Sequence, residues 1–85
     1  MIYNLDGFQF IAPSRRQHKK YDVYLNGKYI TSFGDSRYQH FFDKIGYYSN
    51  LNHLNNVRRN NYRNRHKNDK LNELSAGYFA FNYLW

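Results

Sequence analysis

The sequence predicts a small single α+β domain, a β-hairpin or a three-stranded sheet packed against two or three short helices. Three observations carry that expectation. Asn26-Gly27 stands between two β-rich segments, and both residues tolerate the positive φ that a tight hairpin turn requires. Apolar residues beyond the hairpin recur at spacings of three and four, the period of a helix face. Ten Tyr, seven Phe and one Trp fall within 85 residues, and such rings supply large buried area to a domain with few aliphatics.

Met1 to Pro13 reads as an N-terminal extended arm or strand, and residues 14–85 as one basic domain. Asp6-Gly7 is a turn signal. Phe8, Phe10 and Ala12 alternate as one face of a strand does. Next comes a basic run of Arg15, Arg16, Lys19 and Lys20, with His18 among them. Residues 21–25 and 29–33 are the hairpin strands. Gly34 is expected to end the second of them, and Asp35 or Ser36 to cap a helix over 37–45. Tyr38, Phe41, Phe42 and Ile45 would form its apolar face, and Gly46 its stop.

A second helix is expected from a cap at Ser49 or Asn50 to about His66. Its buried stripe would be Leu51, Leu54, Val57 or Arg58, and Tyr62. Asn is a weak helix former and is frequent here, so packing must hold this helix in place. Residues 64–72 read as a polar loop. Ser75 then offers a cap for a last short helix with Tyr78, Phe79, Phe81, Tyr83, Leu84 and Trp85. Six large apolar groups are costly to leave in water, so this segment should dock into the core. Gly77 allows close backbone approach within it.

The chain contains no cysteine, which excludes disulfides and thiolate metal sites and suits a cytoplasmic or nuclear setting. Met1 to Pro13 lacks the pattern of a secretory signal. No apolar run is long enough to span a bilayer, so no membrane partner is expected. His18, His40, His53 and His66 lack the paired spacing of a zinc module. Asp6, Asp22, Asp35, Asp43, Asp69 and Glu73 are scattered, and no nucleophile triad, phosphate-cradling loop or dinucleotide fingerprint is present. The expectation is a protein that is not an enzyme and has no cofactor and no metal.

Thirteen Lys and Arg against six Asp and Glu give a net charge of +7, which favours polyanionic partners. The charge is concentrated in Arg58, Arg59, Arg63, Arg65, His66 and Lys67, with Lys70 beyond, and only Asp69 opposes it there. On a helix Arg59, Arg63 and Lys67 would align at i, i+4 and i+8, a row suited to phosphates. Arg predominates, and its planar fork grips phosphate or guanine bidentately. Arg15, Arg16, Lys19 and Lys20 form a second basic patch that suits an arm along a nucleic-acid backbone. Tyr21, Tyr24, Tyr29, Tyr47 and Tyr48 could stack on unpaired bases, but in so aromatic a chain they read as core or cross-strand pairs. The expected function is largely sequence-independent binding of nucleic acid, with DNA favoured.

An ordered set of motifs runs through the chain. It comprises Lys19-Lys20-Tyr21, Phe33-Gly34-Asp35-Ser36 with Tyr38, Asp43-Lys44 with Gly46, Arg58-Arg59 with Tyr62 and Arg65-His66, and Ser75-Ala76-Gly77 with Leu84-Trp85. Over roughly residues 13–85 this resembles a family of short basic proteins of unestablished function. Its members are encoded mainly by large DNA viruses of eukaryotes and associated mobile elements. The resemblance implies a viral protein, in the virion or in the cytoplasm or nucleus of an infected cell, possibly packaged with the genome. It also implies an alternative: a structural or adaptor component of the particle that binds an acidic protein partner, or a homo-oligomer.

Overall fold

Asp6 and Gly7 both adopt positive φ, at 54° and 84°, and fold the N-terminal segment back on itself. The expected arm is therefore a hairpin of its own. In the computed structural model, which describes all 85 residues, strands β1 (Ile2–Leu5) and β2 (Phe8–Ile11) pair antiparallel, with Leu5 opposite Phe8. Strands β3 (Lys19–Leu25) and β4 (Lys28–Asp35) form the second hairpin, with Leu25 opposite Lys28 across Asn26 and Gly27 at φ 51° and 80°. Pairing of Phe10 with Val23 joins the two hairpins into one four-stranded antiparallel sheet of order β1-β2-β3-β4. The predicted α+β class holds, with four strands where up to three were expected.

One face of the sheet carries the core. Phe10, Ala12, Tyr21, Val23 and Phe33 are fully buried on it. Helix α2 (Ala76–Tyr83) lies across that face and contributes Phe79 and Tyr83, and Leu84 follows just past its end. The Ser75 side chain accepts from the Tyr78 amide and starts the helix as expected. Phe10 is the hub, edge-on or tilted to Tyr21, Phe33, Phe79 and Tyr83 at centroid separations of 4.9–6.3 Å. Those are the arrangements that ring quadrupoles favour.

Residues 37–45 do not form the expected helix. Their backbone N–H groups are bonded elsewhere: His40 to Leu51, Phe41 and Phe42 to Leu84, and Lys44 to Tyr83. The Asp43 amide donates to Asn52 Oδ1 and the Ile45 amide to Asp43 Oδ1. The amides of residues 40–45 are thus all taken away from an i−4 carbonyl, and a loop seals the end of α2 instead. Asp43 organises that loop, accepting from the Tyr21 hydroxyl and from the Tyr48 amide as well. Gly34 does not end its strand either. It sits inside β4 at φ 76°, where a Cβ would stand 2.9 Å from Lys20 Cδ and 3.0 Å from Leu84 Cδ1.

Helix α1 (Asn56–Arg65) begins later than expected, after a single 3₁₀ turn at Ser49–Leu51. Asn55 is its cap, accepting from the Val57 and Arg58 amides. The stripe expected to bury it is corrected as well. Leu54 and Val57 are 59% and 69% exposed, and only Tyr62 of the helical members packs inward. A further 3₁₀ turn, Asp69–Leu71, interrupts the polar segment that follows. Gly77 lets α2 approach it: a Cβ there would lie 2.9 Å from Asp69 Oδ2.

Candidate nucleic-acid interface

Helix α1 contains no fully buried residue, yet its basic side chains divide between two faces. Arg59 and Arg63 face inward. Their Nε atoms both donate to the main-chain oxygen of Trp85, at 2.9 and 3.1 Å. The guanidinium of Arg59 lies 4.7 Å from the centre of the Phe41 ring, and that of Arg63 lies 4.5 Å from Phe81. Burial pushes the Arg63 pKa down, with Arg59 adding to the effect. The row Arg59, Arg63, Lys67 is thus no outward phosphate ladder. Its first two members hold α1 onto the end of α2, because a half-buried guanidinium takes up carbonyl and ring partners at hand.

Arg58, Arg65 and Lys67 remain exposed. Arg58 and Arg65 are seven residues apart, two turns along one side of α1, or about 10 Å along its axis. Arg58 Nη1 donates to the side-chain oxygen of Gln39 at 3.0 Å. Both arginines border a shallow cavity with Tyr38, Tyr62 and Trp85. Tyr62 is sandwiched between Trp85, at 4.2 Å and 7° between planes, and His66, at 4.3 Å and 25°. Burial, with Asp69 nearby, pushes the Tyr62 hydroxyl up to about 12, so the middle ring of this column is neutral. His66 Nδ1 lies 3.0 Å from Asp69 Oδ2.

The second basic patch contributes unevenly. Lys20 is 2% exposed and its Nζ donates to the Tyr38 carbonyl at 3.0 Å. Burial pushes its pKa down to about 8, with Asp43 and Asp35 opposing the shift. Lys20 is a buried strut rather than the solvated contact expected of it. Lys19 is half-buried at the start of β3. Both lysines line a cavity of about 390 Å³ whose other walls include Tyr38, Tyr62, His66 and Trp85. That cavity adjoins the one bordered by Arg58 and Arg65, with which it shares Tyr38, Gln39, Tyr62 and Trp85.

Arg15 and Arg16 are exposed. Asp22, 1% exposed, accepts from the Ser14 hydroxyl, the Arg15 amide and the Ser32 hydroxyl, and this pins the 14–18 segment to the sheet. Arg15 also reaches the Tyr24 hydroxyl at 2.6 Å. The segment leads to the groove: the Lys19 amide donates to Arg16, and the Ser36 amide to His18.

Tyr38, Gln39 and Trp85 form much of this groove and were not among the residues singled out for binding in the sequence. Tyr38 looked like core on a helix that does not form. In the structure it is 63% exposed, with the Arg37 guanidinium 5.6 Å from its ring centre. The tyrosines weighed as stacking platforms are engaged with other rings. Tyr21 is buried, Tyr24 pairs edge-on with Tyr29 at 5.6 Å, and Tyr47 packs edge-on against Tyr48 at 4.9 Å. No three His, Asp or Glu side chains converge as a metal site, and no helix is long and apolar enough to cross a membrane. Comparisons with protein-family models, curated proteins and solved structures find no match.

Proposed function

We propose that the chain binds nucleic acid, DNA in preference, largely without regard to sequence, through the groove between α1 and residues 38–39. The reading is carried by two adjoining aromatic-walled cavities, one lined by Lys19 and the other by Arg58 and Arg65. Arg58, Arg65, Lys67 and Lys19 make the phosphate contacts, and Arg15 and Arg16 extend the basic track. Exposed cations on rigid elements suit backbone contacts, which fix position without reading bases. The setting is the virion or infected cell implied by the motif resemblance.

The test is titration of labelled DNA with the protein at increasing salt. Binding should weaken steeply as salt rises, since each phosphate contact releases counterions. Absence of binding at micromolar protein and low ionic strength overturns the proposal. A second reading, an acidic protein partner, is favoured by Leu54 and Val57, exposed just before Arg58. It predicts that Val57→Asp abolishes partner capture while DNA affinity changes little.

A further inference from the structure

The groove is more than a row of cations, and its shape bears on which form of nucleic acid it takes. Two adjoining cavities, of about 390 and 380 Å³, share Tyr38, Gln39, Tyr62 and Trp85. Each is of a size that holds a small ligand. The rings of Trp85, Tyr62 and His66 stack on one another, so both faces of Tyr62 are already covered. Tyr38 is different. It stands 63% exposed where the two cavities meet, with no other aromatic ring packed on it. Its backbone is fixed by Lys20 beneath and by its own amide bond to Asp35.

Asp35 and Asp69 line the 390 Å³ cavity beside Lys19 and Lys20, and the lone pairs left over from the Asp35–Arg37 and Asp69–His66 pairs can accept N–H groups from a base edge. The exposed cations Arg58 and Arg65 line the neighbouring cavity on α1, and Lys19 stands at the start of β3. Resting on the nucleic-acid reading above, we infer that the groove accepts an unpaired nucleotide of single-stranded DNA. Its base stacks on Tyr38 against the Tyr62–Trp85 wall, and its flanking phosphates lie on Arg58 and Arg65. A paired base inside a duplex is out of reach of such a slot unless it is flipped from the stack. Stacking on a π-face is indifferent to base identity, in keeping with sequence-independent binding.

Fluorescence anisotropy on three labelled ligands tests this: a dT15 single strand, the same strand with abasic sites throughout, and a 15-base-pair duplex. The dT15 strand should bind about tenfold or more tighter than the abasic strand, within the range of one to two stacked bases. Tyr38→Ala should remove most of that difference, whereas Tyr38→Phe should retain it. The Tyr38 side chain is exposed, so its truncation leaves the core intact, which circular dichroism checks. Equal affinity for dT15 and the abasic strand, or full dT15 affinity in folded Tyr38→Ala, overturns the base slot while leaving phosphate binding standing. No binding to any of the three overturns the wider reading with it.

Discussion

Four arginines on one ten-residue helix have two different tasks, and the difference lies in what each guanidinium touches. Arg59 and Arg63 meet the Trp85 carbonyl and an aromatic face. Their positive charge is spent inside the fold. Arg63→Ala should therefore cost about 2 kcal/mol, the sum expected for a charge-assisted hydrogen bond and a partly desolvated cation–π contact. Urea denaturation measures it, and an unchanged midpoint would mean that the Arg63 contacts add nothing to those by which Arg59 and Tyr62 hold α1. Arg65 makes no hydrogen bond or ion pair within the fold and lines the open groove. Arg65→Ala should leave stability within about 0.5 kcal/mol and reduce the salt slope of DNA binding by about 1. The two variants thus separate folding from binding on a single helix.

At the scale of elements, legibility followed the range of the forces involved. The Asn26-Gly27 turn, the alternation of Phe8, Phe10 and Ala12, and the Ser75 cap are local signals, and each appears in the structure at its expected place. Residues 37–45 carry an equally good helical period, but their N–H groups find Leu84, Tyr83 and Leu51, which lie far away in sequence or in a separate turn. No local pattern records that competition. The groove was half legible for the same reason. Its cations stood out as clusters, whereas their sorting into inward and outward faces depends on where Trp85 docks. Helix α1 itself rests on one local device, the Asn55 cap. Asn55→Ala should destabilise the chain by about 1 kcal/mol, read as a lower thermal midpoint. Gly34→Ala should cost more, because the strand there needs φ 76° and space that Lys20 and Leu84 already occupy. A thermal midpoint for Gly34→Ala at or above that of the parent chain would show that the strand relaxes around the added Cβ.

Across the whole molecule, a chain of net charge +7 keeps Lys20, Asp22, His40 and Asp43 inside, and this ties its stability to pH on both sides of neutrality. Burial, with the nearby Lys20 charge, pushes the His40 pKa below its ordinary 6.5, the Asn52 bond opposing only in part. The unfolded chain then takes up a proton first, so stability falls as pH drops below 6.5. Burial alone would raise the Asp22 pKa, but bonds from Ser14, Ser32 and Arg15 outweigh it and lower the value. Its contribution is present above the ordinary carboxylate range and is lost as pH falls through the folded value. Lys20 acts on the alkaline side. Its pKa is about 8 in the fold against 10.5 for an ordinary lysine, so between pH 8 and 10 the unfolded chain holds the extra proton. Stability must rise with pH through that window, at no more than about 1.4 kcal/mol per pH unit for one proton. As pH nears 10 the rise is opposed, because burial raises the pKa of Tyr21, Tyr62 and Tyr83 above the ordinary 10 and the fold resists their ionisation. Urea denaturation at pH 7, 8 and 9 should show the rise in the parent chain and no rise in Lys20→Met. A rise that persists in Lys20→Met would place the discharged amine elsewhere and return Lys20 to the exposed basic patch that its sequence neighbours suggest.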